Sequence, residues 1–271
     1  MFKASRSDHE VGVNLNYQLY RLLTKAESTV CQANVPWLGA RWPRGRSPWF
    51  DIKRHRNDNS PPLIFDVGGN VGQTVSEVSK WFPRATIHSF EPFEQTFQKL
   101  SETCRSQKRV TATPHQFACG ESAGELVIAR QESSDINSLR HQLSLDPSSL
   151  KSVERVRIIR LDEFAKSQSL DRLDILKTDT EGWDVKVLKG AGNLLSQVAY
   201  VYCEAGFHNQ SEQSCFAEVS AYLFDFGFRF AGLYEVARGP RPATLVPFGN
   251  ALFVRAEQSS RGNASFSENS R

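Results

Sequence analysis

The chain alternates short apolar runs with segments in which hydrophobic residues recur every three or four positions. The apolar runs predict strands, and the three-to-four spacing predicts helices. The predicted strands span residues 63–67, 86–90, 116–119, 125–129, 155–160, 173–177, 198–203, 227–232 and 251–255. The predicted helices begin near Val71, Phe93, Val185 and Phe216.

This order of elements predicts the α/β fold class, with a doubly wound and mostly parallel sheet covered by helices on both faces. The last two strands have no helix between them. We therefore expect them to form an antiparallel pair at the edge of the sheet.

The alternating pattern occupies residues 62–255, which we interpret as one domain. Residues 1–61 form an N-terminal arm, with a helix predicted over residues 11–30 and a segment rich in Pro, Trp and Arg after it. Because exposed tryptophans are uncommon, we expect Trp37, Trp42 and Trp49 to hold this segment against the domain. Residues 256–271 are polar and predicted to be disordered. The serine-rich residues 133–152 predict a loop, either a mobile one over a site or a disordered surface loop.

Composition narrows the classes of function. A formal net charge of +3 is too small to indicate nucleic-acid binding. No apolar run reaches the roughly 18 residues of a membrane span, and the N-terminus lacks the apolar segment of a secretory signal. The five cysteines form no C-x-x-C pair, which favours free thiols in a cytoplasmic protein.

A glycine-rich turn at residues 66–72, with the sequence DVGGNVG, follows the first predicted strand. Ligands of doubly wound sheets bind beyond the carboxyl ends of the strands, where glycines let the backbone approach closely. The turn does not match the dinucleotide motif G-x-G-x-x-G, because Asn70 stands where the second glycine would be. Asp66 would repel a pyrophosphate but could pair with the ammonium of an amino acid. The turn therefore favours a nucleoside joined to an amino acid.

Glu91 ends the second predicted strand, 25 residues after Asp66. An acid at this place typically accepts hydrogen bonds from ribose hydroxyls. An ordinary tight turn followed by a surface acid is the alternative. The candidate cofactor-binding residues are Asp66, Gly68, Gly69, Asn70, Gly72 and Glu91.

A second polar cluster follows the strand at residues 173–177. Lys177, Asp179 and Glu181 share one face of an extended segment, Glu204 ends the next strand, and His208 lies four residues later. We expect these side chains to project into the cleft beside the cofactor. They are the candidate catalytic residues.

Three interpretations of this cluster remain open from the sequence. Asp179 and Glu204, with or without Glu181, could bind Mg²⁺, which would lower the pKa of a substrate hydroxyl. Alternatively, Asp179, Glu181 or His208 could act as a general base without a metal. Lys177 could also simply pair with Glu204 or Asp179 in a structural ion-pair network.

Six stretches in this order resemble the FkbM-like family of methyltransferases. They are IFDVGGNVG at residues 64–72, SFEP at 89–92, LDEF at 161–164, DILKTDTEG at 174–182, VLKGA at 187–191 and NALF at 250–253. The resemblance covers roughly residues 62–255. It implies a class I methyltransferase fold, S-adenosylmethionine as methyl donor, and O-methylation of a sugar, glycan or secondary metabolite.

Carried onto this chain, the resemblance assigns Asp66, Gly68, Asn70, Gly72 and Glu91 to the cofactor motifs. It assigns Lys177, Asp179, Glu181 and Gly182 to the family's K-x-D-x-E-G motif. Two positions depart from the family's pattern. Gly69 stands where alanine is commoner, which we expect only to loosen the turn. Asp184 replaces the usual glutamate, and we assign it no role.

We therefore predict an S-adenosylmethionine-dependent methyltransferase that acts on a small-molecule or glycan acceptor. The N-terminal arm is expected to be either a substrate lid or the segment through which the chain forms a homo-oligomer. Three other classes are weighed against the methyltransferase. A nicotinamide-dependent oxidoreductase is disfavoured by the missing glycine. A non-catalytic binding protein with this fold is disfavoured by the intact acids. Methylation of nucleic acid is disfavoured by the near-neutral charge, and amino-methylation by the absence of an N-P-P-Y-type motif.

Overall fold

The computed structural model describes residues 45, 47–56, 58–129, 153–208, 214–237 and 246–256. Its strands are β1 (Leu63–Val67), β2 (Thr86–Phe90), β3 (Thr111–His115), β4 (Ala118–Cys119), β5 (Gly124–Ala129), β6 (Val153–Ile159), β7 (Leu173–Thr178), β8 (Val198–Gly206), β9 (Phe228–Tyr234) and β10 (Phe248–Arg255). Its α-helices are α1 (Pro48–His55), α2 (Gln73–Trp81), α3 (Glu94–Ser106), α4 (Leu161–Ser167), α5 (Asp184–Ala191) and α6 (Phe216–Asp225). A 3₁₀ helix, Gly192–Gln197, joins α5 to β8.

Seven strands form one sheet in the order β3-β2-β1-β7-β8-β10-β9. The first five are parallel, whereas β10 runs antiparallel to both β8 and β9. This sheet confirms the predicted doubly wound α/β fold. Every residue of β8 is buried, as expected for a central strand covered on both faces.

One detail of the sheet differs from the prediction. The third parallel strand is β3, Thr111–His115, and not residues 116–119; β4, Ala118–Cys119, pairs instead with β6 in a small second sheet. The sequence TATPH of β3 is only partly buried and contains Pro114, which a strand at the edge of a sheet tolerates. The predicted antiparallel pair of the last two strands is confirmed, with β9 at the edge of the sheet and β10 between β9 and β8.

Part of the predicted N-terminal arm packs on the sheet. Ser47 caps α1 by accepting a hydrogen bond from the backbone of Phe50, and Pro48 occupies the first turn. The Trp49 side chain is buried, and its ring meets the Tyr202 ring of β8 edge-on at 5.8 Å. Trp49 therefore holds its segment against the domain, as the sequence predicted. Trp37, Trp42, the helix at residues 11–30, residues 133–152 and the tail lie outside the described residues.

The small sheet β4-β6-β5 supports the start of α3. The Glu154 carboxylate, on β6, accepts a hydrogen bond of 2.7 Å from the backbone N–H of Glu94, and so acts as a cap from another element. Among the described helices, none combines the length and apolar character that crossing a membrane would need.

Candidate active site

The turn after β1 is built from backbone conformations that favour glycine. Gly68 and Gly72 have φ angles of 78° and 92°, and Asn70 has a φ of 45°. The N–H groups of Gly68 and Gly69 both donate to the carbonyl of Phe90, at 3.0 and 2.9 Å. These bonds tie the turn to the end of β2.

Neighbouring groups also leave no room for side chains in this turn. A Cβ atom on Gly68 would lie 1.9 Å from the carbonyl oxygen of Asp179, and one on Gly69 would lie 2.2 Å from Ser89 Oγ. The expectation that alanine at position 69 changes only the looseness of the turn is therefore incorrect for this chain. Glycine is needed there because Ser89 occupies the space.

The Glu91 carboxylate joins the turn to α3. It accepts hydrogen bonds from Asn70 N–H at 2.9 Å, Phe93 N–H at 3.1 Å and the Thr96 hydroxyl at 2.7 Å. Burial raises the pKa of Glu91, and these three donors act in the opposite direction. A carboxylate has about four lone-pair positions, so Glu91 can still accept a hydrogen bond from a ligand in the cavity that it lines.

Lys177 lies between the turn after β1 and the segment after β7. Its Nζ is 3.3 Å from Asp66 Oδ1, 3.5 Å from Asp179 Oδ2 and 3.3 Å from the carbonyl of Gly68. Burial disfavours the charged form, but Asp179 and Asp66 outweigh it and raise the pKa of Lys177 above its usual value. Lys177 therefore pairs with Asp179, as the ion-pair interpretation allowed, and its second partner is Asp66 and not Glu204.

Asp66 is fully buried behind the turn. It accepts a 2.7 Å hydrogen bond from Ser89 and pairs with Lys177, and it is not among the residues that line the cavity. This position differs from the expectation that Asp66 holds the donor's ammonium. Its neighbours assign it instead to holding Lys177 in place.

Three carboxyl groups converge beyond β7 and β8. One oxygen from each of Asp179, Glu181 and Glu204 lies within 4.8 Å of the others. Glu204 is buried, and its Oε2 has no hydrogen-bond partner among the described residues. Burial, together with Asp179 and Glu181, raises the pKa of Glu204 to about 9, so this carboxyl is protonated at neutral pH.

Asp184 is a second buried acid beside this group. It lies at the start of α5 with no exposed surface, and burial raises its pKa to about 6. The hydroxyls of Thr178 and Thr180 act in the opposite direction. We call Asp179, Glu181 and Glu204 the acid cluster. Asp184 lies beside this cluster, which its position in the sequence did not predict.

A cavity of about 360 Å³ opens at the carboxyl ends of β1, β2 and β7. This volume is within the usual range of roughly 300–1,000 Å³ for small-molecule sites. Six predicted residues line it: Gly68, Asn70, Glu91, Lys177, Asp179 and Glu181. The predicted residues Asp66, Gly69, Gly72, Glu204 and His208 do not line it.

His208 lies apart from the cavity, two residues beyond the end of β8. Its Nε2 is buried and has no hydrogen-bond partner among the described residues. The structure does not bring this imidazole to the acid cluster, and its role as a base stays a prediction.

Of the lining residues that were not predicted as site residues, five are linked by hydrogen bonds among themselves. They are Trp49, Glu77, Tyr202, Glu235 and Asn250. Trp49 Nε1 donates to Glu77 at 3.0 Å, and both Tyr202 Oη and Asn250 Nδ2 donate to Glu235, at 3.0 and 2.7 Å. We call these five residues the outer cluster.

The sequence held only partial signals for the outer cluster. Asn250 lies in a stretch that resembles the family, but its role depends on the antiparallel register that pairs it with Glu204. Trp49 was expected to be buried, but its partner Glu77 lies 28 residues away. Only the folded arrangement shows that these side chains share a cavity.

Comparisons with known proteins agree with this geometry. A family model described as the methyltransferase FkbM domain matches residues 66–230. The hexuronic acid methyltransferase AglP of Haloferax volcanii is 28% identical over 142 residues, which cover 52% of this chain and 55% of that protein. Methyltransferase 1 of Beauveria bassiana is 25% identical over 176 residues, covering 58% of this chain and 69% of that protein.

The matched region thus spans about half the length of the Haloferax protein. Among solved structures, the magnesium protoporphyrin IX methyltransferase of Synechocystis PCC 6803 is 10% identical with a TM-score of 0.42, covering 84% of this chain and 97% of that one. Because the family model matches more than half of the sequence, this chain belongs to the FkbM methyltransferase family.

Proposed function

We propose that this chain transfers a methyl group from S-adenosylmethionine to a hydroxyl of a sugar, glycan or secondary metabolite. The observation that carries the proposal is that Asn70, Glu91 and Asp179 line one cavity, with the glycine turn on one side and the acid cluster on the other. The Haloferax relative is named as a hexuronic acid methyltransferase, which supports a carbohydrate acceptor.

The residues at the β1 and β2 ends fit a nucleoside joined to an amino acid. Glu91 offers a buried carboxylate to ribose hydroxyls, and the turn at Gly68 brings backbone to the cavity without a side chain between. When bound, S-adenosylmethionine supplies an electrophilic methyl group, and its transfer to a hydroxyl oxygen releases the proton of that hydroxyl. The chain's remaining task is to orient the acceptor and remove this proton.

Asp179 is our choice for the group that accepts the proton. It lines the cavity, is partly exposed to it, and is held by Lys177 at 3.5 Å. Glu204 is a weaker choice, because its raised pKa keeps it protonated at neutral pH. Glu181 also lines the cavity and remains a second candidate.

Mg²⁺ at Asp179 and Glu204, with Glu181, is a further proposal. Octahedral Mg²⁺ holds its oxygens about 2.1 Å from the metal, so opposite ligands are about 4.2 Å apart. The three carboxyl oxygens lie within 4.8 Å of one another, which is compatible with one shared cation. Glu204 would have to lose its proton, so Mg²⁺ binding should strengthen as the pH rises.

Calorimetry with S-adenosylmethionine, S-adenosylhomocysteine and NAD tests the proposed donor. We expect saturable binding of the first two ligands and none of NAD. Binding of NAD alone would favour the nicotinamide-dependent oxidoreductase.

Turnover tests the acceptor side. Donor-labelled screening of sugars, glycans and natural-product alcohols identifies an acceptor, and Asp179→Asn should then lower kcat much more than it weakens donor binding. Loss of donor binding with unchanged kcat would contradict the proton-accepting role. Full activity after treatment with a chelator would contradict the Mg²⁺ proposal.

A cytoplasmic location and homo-oligomerisation through residues 1–61 remain predictions. Residues 1–44 lie outside the described part of the chain. Fractionation of tagged protein and sedimentation of full-length chain against a chain lacking residues 1–44 would test them.

A further inference from the structure

The outer cluster concentrates negative charge around one tyrosine. Tyr202 is buried, and its hydroxyl donates to Glu235 at 3.0 Å. Burial, then the carboxylates of Glu235, Glu77 and Asp179, raise the pKa of Tyr202. Glu77 and Glu235 are both exposed to solvent, and the surrounding protein and Glu235 raise the pKa of the Glu77 carboxyl. Glu77 and Glu235 therefore repel each other across the cavity.

The acid cluster continues the same surface. Tyr202 and Glu204 alternate on β8 and so share a face of the sheet, and Asn250 pairs directly with Glu204 across the ladder. The Glu204 side chain is only 6% exposed, its Oε2 has no partner among the described residues, and it converges with Asp179 and Glu181. A buried oxygen without a partner is costly unless a ligand or a proton satisfies it.

Positive charge is scarce on this surface. Lys177 is the one cationic side chain among the described residues that line the cavity, and it already contacts both Asp66 and Asp179. Lys80 lowers the pKa of Glu77 from the surface of α2, but it does not line the cavity. Among the described lining residues, an anionic acceptor would therefore meet carboxylates and no cation that is not already paired.

We propose that the outer cluster selects an acceptor that carries an ammonium group near the hydroxyl to be methylated. The inference rests on the proposed methyl transfer and adds the charge of the substrate. Glu235 and Glu77 pair with the ammonium group of the acceptor. The Asn250 amide and the Tyr202 hydroxyl form hydrogen bonds with oxygen atoms of the acceptor next to that group. This acceptor is opposite in charge to the hexuronic acid named for the Haloferax relative.

The residues that carry this selectivity lie partly outside the family match. Trp49 precedes and Glu235 follows residues 66–230, whereas Asn70, Glu91 and Asp179 lie within them. Asn250 also follows these residues, although it belongs to the NALF stretch that resembles the family. Trp49 holds Glu77 by a hydrogen bond of 3.0 Å, so α1 contributes to the acceptor end of the cavity. A chain can therefore keep the family's donor turn and differ in the charge of its acceptor.

Three probes that differ mainly in charge test the proposal: glucosamine, glucose and glucuronate. Binding of each is measured by ligand-observed NMR to the full chain saturated with S-adenosylhomocysteine, at about pH 6.5, where an amine of this kind is protonated. We expect glucosamine to bind about tenfold more tightly than glucose, and glucuronate to bind most weakly.

Matched variants locate the preference. Glu235→Gln and Glu77→Gln should each remove most of the advantage of glucosamine over glucose. Glu218→Gln makes the same charge change at an exposed position of α6 that does not line the cavity, and should leave the advantage intact. Equal loss in all three variants would overturn the proposal, because it would indicate an effect of net charge alone.

Repeating the series with a chelator and with Mg²⁺ separates the remaining outcomes. Tighter binding of glucuronate than of glucosamine when Mg²⁺ is present would overturn the proposal, since the carboxylates would then hold a metal that bridges to an anionic acceptor. Equal affinities of the three probes would also overturn it. Failure of S-adenosylhomocysteine to bind would instead contradict the proposed function itself.

Discussion

The turn that forms the donor side of the cavity depends on Gly69 and Ser89 as a pair. Ser89 Oγ donates to the buried Asp66, and that same oxygen would lie 2.2 Å from a Cβ on Gly69. The sequence could place a glycine turn here from its position after a strand. It could not show which neighbour made each glycine necessary, since Ser89 lies 20 residues away on another strand.

Gly69→Ala should therefore destabilise the chain by about 1–3 kcal/mol through overpacking. Ser89→Ala should also destabilise it, because Asp66 loses a buried hydrogen bond. The double variant should be more stable than the sum of the two losses predicts, by on the order of 1 kcal/mol, because the clashing oxygen is absent.

Urea unfolding of the four proteins measures this coupling. Gly124→Ala is the matched control, since a Cβ there has nothing within 4 Å, and it should change stability little. Strict additivity of Gly69→Ala and Ser89→Ala would contradict the steric account.

Glu91 combines the structural role that its three hydrogen bonds show with the donor-binding role that we propose for it. Glu91→Gln keeps the size of the side chain but replaces one acceptor oxygen with a donor, so the bonds from Asn70, Phe93 and Thr96 cannot all persist. We expect affinity for S-adenosylhomocysteine to fall about tenfold or more, in line with a lost charged hydrogen bond of about 1.5–3 kcal/mol.

Calorimetry gives the affinity, and thermal unfolding without ligand reports the structural part separately. Thr96→Val is the comparison variant, because it removes one donor to Glu91 and leaves the carboxylate in place. Donor affinity that is unchanged in Glu91→Gln would remove Glu91 from the binding site.

At the scale of elements, strands with apolar runs were predictable and strands without them were not. The runs at β1, β7 and β8 are continuous because both faces of these strands are buried, and the sequence predicted all three. β3 was missed, since an edge strand with Pro114 and half-exposed threonines carries no apolar pattern. The antiparallel pair of β9 and β10 was predicted from the missing helix between them, whereas their order beside β8 depends on tertiary pairing.

Two histidines on β2 and β3 couple this part of the sheet to pH. His88 Nδ1 and His115 Nε2 are 3.0 Å apart, and the His115 ring stacks on Phe90 with centroids at 5.0 Å. Burial, with a smaller contribution from His88, lowers the pKa of His115 to about 4, and burial lowers that of His88. The His115 carbonyl also accepts from Glu91 N–H, which links the pair to the donor side of the cavity.

The pair should make stability fall in mild acid. The unfolded chain protonates these rings below about pH 6.5, whereas the folded chain keeps His115 neutral down to about pH 4. The contribution of the neutral histidine pair to the free energy of unfolding is therefore complete above about pH 6.5 and decreases as the pH falls towards about 4. Since both rings are partly exposed, we expect an effect on the order of 1 kcal/mol between pH 7 and pH 5.

Urea unfolding of the wild type and of His115→Phe at both pH values isolates this contribution. Phenylalanine preserves the stacking and cannot bind a proton, so the variant should lose less stability between pH 7 and pH 5. The same loss in both proteins would show that other groups cause the pH dependence.

At the scale of the whole molecule, the donor side was largely predictable and the acceptor side was not. Gly68, Asn70, Glu91 and Asp179 follow parallel strands and Lys177 lies near the end of one, and the carboxyl ends of these strands meet at one edge of the sheet. The residues of the outer cluster instead come from α1, α2, β8, β10 and the position after β9. No local sequence pattern predicts that they lie together. The residues of the proposed donor side can therefore be predicted from short segments of sequence, whereas those of the proposed acceptor side can be identified only from the tertiary fold.

The central claim is that the turn after β1 and the acid after β2 hold the methyl donor beside the acid cluster. A crystal structure of the chain with S-adenosylhomocysteine tests this claim most directly. We predict that the ribose hydroxyls lie within hydrogen-bond distance of the Glu91 carboxylate and that the sulfur faces Asp179 across the cavity. A ligand bound elsewhere, with Glu91 contacting only Asn70, Phe93 and Thr96, would contradict the account.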